Sequence, residues 1–355
     1  MADDQHAGLP LSGVKLLGWF VLFVLVAIIV FYNLPAIGQE LRLLRKVNAW
    51  WLLLAIAAQS LTYWLNAQVY LTLLHTDVRA RVPDQWTMTK SCIISLFFNE
   101  TVPSAGISGN AFMYRLLERF GLDSQTVFSL ILSELIIFYA AMESFFLLLL
   151  AGNNFLYRVD NKVAIILLVG MGVYLLFGIG VVMAGKGHWM QSILAKLKKW
   201  RMLRHWQKNS QFTPMLRHGS TGVFDIHYLL QIHRRAVVLS YWWQLLVVAA
   251  DAATIYTLSV GLGMPVHPIY CLLALAGGRI ATLMPFLPGG LLLYEGTMGY
   301  FLIALGVPAT HAVVITLLYR LLSFWLPIPI GLVLFRRWKK QADRPDAGVL
   351  HHSHY

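Results

Sequence analysis

Charge is what this sequence has least of: Asp, Glu, Lys and Arg make up 12% of its 355 residues, against 58% hydrophobic. A water-soluble domain carries about 25% charged residues, so water is excluded as the main solvent. Also missing is any hydrophilic stretch long enough to fold alone; the longest, Lys186 to Arg235, has few aliphatic runs. A separate catalytic domain is therefore not expected, and any chemistry belongs at or within the membrane. Cysteine is nearly absent. Cys92 and Cys271 sit in apolar surroundings and offer neither a disulfide framework nor metal-ligand spacing. No metal and no cofactor are expected; His351, His352 and His354 read as a solvated tail. A secretory signal is lacking too, because the first apolar run, Leu11 to Phe31, is too long and no A-x-A site follows it.

Acidic residues are missing exactly where basic ones gather. The formal net charge is +12, and Lys186, Lys196, Lys198, Lys199, Arg201, Arg204, Lys208 and Arg217 follow one another with no Asp or Glu among them. Arg336, Arg337, Lys339, Lys340 and Arg344 follow the last apolar segment. Basic residues confined to the flanks of apolar segments mark the cytoplasmic side of a membrane protein and attract anionic headgroups. They do not indicate nucleic acid.

A bilayer core takes about 20 apolar helical residues. Leu11–Phe31, Trp51–Leu74, Gln125–Ala151, Lys162–Ala184, Ala236–Val260 and Ala309–Phe335 qualify. Two regions do not. Thr87 to Phe98 is short and runs into an interruption from Asn99 to Asn110 that contains Pro103, Gly106 and Gly109; an amphipathic helix follows to Phe120. His267 to Phe286 runs into Leu287, Pro288, Gly289 and Gly290, and a second helix continues to Leu305. Broken backbone at membrane depth survives only where protein or a water-filled cavity satisfies it, so both belong in the interior. The expected fold is an all-α polytopic membrane protein with about six full transmembrane helices and two broken or re-entrant helical hairpins.

The two regions resemble each other. An offset of 185 places Pro103 on Pro288, Asn110 on Glu295 and Gly121 on Gly306. Three clear spans separate them, so they enter from opposite faces, the inverted-repeat arrangement of transporters with discontinuous helices. The expected halves are 87–151 and 267–335, with a basic cytoplasmic loop and interfacial helix at 185–235 and a cytoplasmic tail at 336–355. Both termini then lie in the cytoplasm. Arg42, Arg45 and Lys46 run against that orientation, and an interfacial helix is needed to accommodate them.

Ionisable residues inside spans are costly and are functional candidates by default. Here they are Glu134, Glu143, Asp251, Arg279, Glu295 and Arg320, with Arg115 in the second half of the first broken region. Glu134 and Arg320 fall at nearly equivalent repeat positions, either as a buried ion pair or as the lining of a headgroup cavity. Glu143 falls on the opposite helix face from Glu134. Asp251, among Ala250, Ala252 and Ala253, reads equally as a packing or a transport residue. The glycines at the second break permit close packing, and freed amides at a half-helix N-terminus also bind anions.

Leu-Pro-Gly-Gly-Leu-Leu-Leu-Tyr-Glu-Gly (287–296), Ala-Leu-Gly-Val-Pro (304–308) and Leu-Tyr-Arg-Leu-Leu (318–322) resemble the lysylphosphatidylglycerol synthase/flippase membrane-domain family. The N-terminal counterpart is Asn99 to Gly109 with Arg115, Gly121 and Glu134. The resemblance implies a bacterial cytoplasmic membrane protein that translocates lipids. Relatives with an added soluble domain make aminoacylated phosphatidylglycerol, and this chain holds the membrane part alone. The expected function is a flippase for a lipid with a polar headgroup: anionic, aminoacylated or glycosylated. Its substrate-binding residues would be Asn99, Pro103, Gly106, Gly109, Asn110, Arg115, Glu134, Arg279, Pro288, Gly289, Gly290, Glu295 and Arg320. A membrane-embedded lipid-modifying enzyme is the alternative, although no nucleophile–base pair, metal cluster or nucleotide loop stands at a recognisable spacing. A scaffold in a lipid pathway is the third. Membrane lipids are the expected partners; the sequence leaves open a homo-oligomer or a lipid-synthesis enzyme.

Overall fold

The computed structural model describes residues 48–75, 82–102, 106–155, 161–185, 234–283, 290 and 292–342. All regular structure among them is helical. The expected first span at Leu11–Phe31, most of the basic loop, Pro103, Pro288 and Gly289 lie outside these residues.

Helix α1 spans Ala49–Leu74, α2 Gln85–Thr101, α3 Ile107–Arg119, α4 Ser124–Phe155 and α5 Asn161–Gly185. After the basic segment come α6 (Arg234–Gly261), α7 (Pro268–Thr282), α8 (Leu293–Ala304), α9 (Ala309–Arg320), a π-helical turn (Leu321–Trp325) and α10 (Pro327–Ala342). The starts follow capping chemistry. Asn48 accepts the Trp50 amide, Asp84 the Trp86 and Thr87 amides, and Asp123 the Gln125 and Thr126 amides. These bonds satisfy donors that a first helical turn leaves without partners. The Thr126 hydroxyl and amide hold the Asp123 carboxyl below its ordinary range.

Four helices are long and apolar enough to cross a membrane among the described residues: Ser124–Asn153, Asn161–Met183, Arg234–Gly261 and Ala309–Gln341. They match four of the expected spans. The expected span at Trp51–Leu74 is a 26-residue helix, but Gln59, Thr62 and Asn66 dilute its middle, and Gln59 and Thr62 are buried. One expectation needs correction. The first interruption is narrower than Asn99–Asn110: α2 carries Asn99 and Glu100 in helix, and α3 begins at Ile107. Helix α10 runs on past the last expected span to Ala342.

Helices α1 and α6 lie side by side and antiparallel. The Asn48 amide bonds the Gly261 carbonyl at one end, and the Ser240 hydroxyl meets the Val69 carbonyl toward the other. Helix α2 follows from the Leu74 end of this pair and α7 from the Gly261 end. Each opens a hairpin, α2–α3 and α7–α8. At the first, Gly109 sits where an added Cβ would come within 2.5 Å of the Ser95 backbone oxygen and 2.6 Å of Asn99 Nδ2. Asn99 Oδ1 accepts the Gly109 amide at 2.7 Å, and the Ser108 hydroxyl bonds the Phe98 carbonyl. Both hairpins end alike: Gly121 at φ +88 and Gly306 at φ +91, with Leu122 N–H bonded to Leu117 O and Val307 N–H to Leu302 O. That is the left-handed glycine stop, with a residue type that escapes the Cβ penalty. The offset of 185 thus joins Gly121 to Gly306, Ser124 to Ala309 and Ala49 to Arg234 at the starts or stops of helices.

The π-helical turn has a local cause. Pro327 has no amide to donate, and the Leu326 amide reaches back five residues to the Leu321 carbonyl. The Leu322 carbonyl is thereby left for another donor, and the Tyr63 hydroxyl on α1 supplies it at 2.9 Å. Helix α10 then packs on α2, where Gly331 lies against Phe97 and the Ile93 carbonyl. Phe98, Phe112, Phe335 and Trp338 form one aromatic cluster beside it, with the Arg119 guanidinium 4.4 Å from the Trp338 ring.

Candidate functional site

The ends of the two hairpins bring charge into the interior. Arg279 lies one turn before the end of α7, and Glu295 lies in the first turn of α8. Glu100, at the end of α2, is within electrostatic range of Arg320, Arg279 and Glu295. Along the helices, Asp251 is about 15 Å from the Gly261 end of α6 and Arg279 about 18 Å from His267, at 1.5 Å per residue.

Two ion pairs organise the cluster. The Arg279 guanidinium bonds the Asp251 carboxylate, which also accepts Gln59 Nε2 at 3.4 Å and the Thr62 hydroxyl at 3.3 Å. Arg320 Nε donates to Glu295 Oε1 at 2.7 Å. The Arg320 guanidinium also lies 4.5 Å from the Tyr294 ring and 4.1 Å from the Phe324 ring. Cation–π contact of this kind, away from water, adds to the ion pair. The side chains of Asp251 and Arg320 are 2% and 4% exposed, whereas Arg279 and Glu295 keep 26% and 20%. The network therefore has a sealed side and an accessible side. Several buried polar atoms there lack a hydrogen-bond partner among the described residues: Glu100 Oε2, Glu295 Oε2, Arg279 Nε and Gln59 Oε1.

Close packing holds these groups in place. A Cβ at Gly277 would meet the Phe301 ring at 2.7 Å, and one at Gly278 the Tyr294 ring at 2.4 Å. Tyr294 in turn stacks on Tyr319, and the Tyr174 hydroxyl of α5 bonds the Arg279 carbonyl at 2.9 Å. Gly290, at φ +66, brings backbone against Ala281 and Thr282, and Leu292, at φ +68, is a strained position at the start of α8.

Of the residues singled out in the sequence, Arg279, Glu295 and Arg320 come together. Arg320 pairs with Glu295 and not with Glu134, which instead faces the Tyr70 hydroxyl of α1. Asn99 and Gly109 bind each other across the first hairpin, and Gly106 takes a left-handed conformation at its turn. Asn110 and Arg115 lie half-buried on α3, and Glu143 is half-buried with Oε1 lacking a partner. Asp251, Glu100, Tyr294 and the Gln59–Thr62 pair were not among the expected binding residues. A signal for them existed: polar residues in apolar helices at one depth. Among the described residues no cluster of three or more His, Cys, Asp or Glu could hold a metal ion.

An all-helical, multi-pass membrane protein with an ion-paired interior is the class these features define. Residues 14–331 match the family model described as the lysylphosphatidylglycerol synthase TM region, and the chain belongs to that family. It is accordingly a membrane protein of a family tied to lipid modification or handling. A search of curated proteins found no match.

Proposed function

We propose that this protein is a lipid flippase, moving a lipid with a polar headgroup across the bacterial cytoplasmic membrane. One observation carries the reading: the two hairpins start from opposite ends of the α1–α6 pair, and Glu100 of the first lies within electrostatic range of Arg279 and Glu295 of the second, in a partly accessible charge cluster. A headgroup passing the membrane needs polar contacts at mid-depth, while its tails stay in lipid.

The reading includes an inverted repeat of α1–α4 on α6–α10, with both hairpins re-entrant. Three features support it: the constant offset of helix boundaries, the paired glycine stops, and the antiparallel contact of α1 with its counterpart α6. Two-fold-related copies in the membrane plane must run antiparallel, and rocking one half against the other exposes a shared site alternately to each leaflet. With the basic segment and α10's Lys339 and Lys340 in the cytoplasm, α2 enters from inside and α7 from outside. Membrane lipids are the partners in this scheme, with Arg279, Glu295, Arg320 and Glu100 contacting the headgroup.

Purified protein in liposomes carrying fluorescent lipids of different headgroups tests it. Exchange between leaflets should exceed that of protein-free vesicles for at least one headgroup; equal exchange for all of them sinks the proposal.

A further inference from the structure

Among the described residues the charge cluster is unbalanced. Its two guanidiniums are each matched by a carboxylate at bonding distance, Arg279 by Asp251 and Arg320 by Glu295. Glu100 is a third carboxyl within electrostatic range of both guanidiniums, and its Oε2 is buried without a hydrogen-bond partner among the described residues. In sequence, 103–105 and 284–289 contain no ionisable residue. Among the described residues, Tyr63 of α1, Arg279 of α7, Glu295 of α8 and Arg320 of α9 lie within electrostatic range of Glu100. Arg119, at the far end of α3, lies over the Trp338 ring of α10. An ionised carboxylate held this way is unfavourable unless something compensates it, and an anionic headgroup beside it adds repulsion.

We propose that Glu100 is a proton-binding site that couples headgroup passage to a proton, so that a lipid with a monoanionic phosphodiester moves with one H+. The proton bonds to the Glu100 carboxylate from one side of the membrane and leaves the same oxygen toward the other; the lipid is chemically unchanged. Protonated, Glu100 can donate a hydrogen bond to a phosphate oxygen, and the cluster then accepts the anion without excess negative charge. This inference rests on the flippase reading and names its energy source.

The test uses the full chain in phosphatidylethanolamine vesicles with a trace of fluorescent phosphatidylglycerol. A pH gradient of about one unit should shift the equilibrium leaflet ratio of the probe about tenfold for one proton per lipid. Because a monoanion and a proton cross together, a potassium diffusion potential should not shift it. Glu100→Gln should abolish the accumulation, and Glu100→Asp, which keeps a titratable carboxyl, should restore it. Accumulation in the Glu100→Gln protein, or wild-type exchange indifferent to the gradient, overturns the proposal. Wild-type exchange of a cationic lipid only, independent of pH gradient, also overturns it, assigning Glu100 to the headgroup cation. Absence of all exchange is a different result, because it sinks the flippase reading beneath it.

Discussion

Replacing Arg320 by Gln should be among the most damaging single changes to this protein, and removing its partner as well should repair much of the damage. Arg320 Nε and Glu295 Oε1 are 2.7 Å apart, and the Arg320 side chain is 4% exposed. At that separation the direct attraction is about 6 kcal/mol for an effective dielectric near 20. Much of it offsets desolvation already incurred, so breaking the pair from one side should cost about 3–5 kcal/mol. Loss of the Tyr294 and Phe324 ring contacts adds about 1 kcal/mol. Glu295 is 20% exposed and recovers some solvation, which favours the lower half of that range. In the double variant Arg320→Gln with Glu295→Gln neither member of this pair is left as an uncompensated charge. The double-mutant cycle should therefore give a coupling of about 2–3 kcal/mol. Thermal unfolding of the four proteins in one detergent, followed by tryptophan fluorescence, measures it. Additive losses would refute the reasoning, since they would mean that neither charge depends on the other.

Gly109→Ala should destabilise the protein by about 1–3 kcal/mol, because the new methyl overlaps Ser95 and Asn99; Gly172→Ala, in open space, is the near-neutral control in the same melts. Tyr63→Phe removes the donor to the Leu322 carbonyl and should cost about 1–3 kcal/mol. Amide hydrogen exchange near the π-helical turn should rise in that variant and stay at the wild-type level in α5. Asp123 is held below its ordinary pKa by the Thr126 bonds, so its contribution is present above the unfolded value, about 3.9, and is lost as pH falls through the lower folded value. Exchange at the start of α4 should accelerate across that acid window in wild type, and Asp123→Ala should make it fast at all pH values.

Composition and apolar run length determined the membrane solvent and four of the helices, because a bilayer demands long stretches without charge and nothing else in a chain resembles them. The proline and glycine interruptions marked both hairpins, and Gly121 and Gly306 marked their stops, since left-handed backbone selects glycine locally. The caps at Asp84 and Asp123 went unread, although they are local: their partners lie two or three residues away. The first interruption was read too wide, because Asn99 and Asn110 look like loop residues. Asn99 in fact holds the Gly109 amide across the hairpin, a bond between helices that no local pattern reveals. Partner choice among the charges was decided only by the tertiary structure. Glu134 and Arg320 fall at nearly equivalent places under the 185-residue offset, yet Arg320 bonds Glu295, twenty-five residues away, and Asp251 bonds Arg279. Sequence places a charge in a helix and at a depth. Which opposite charge it meets depends on helix crossing and rotation, set by contacts such as Gly278 against Tyr294 and Gly109 against Ser95.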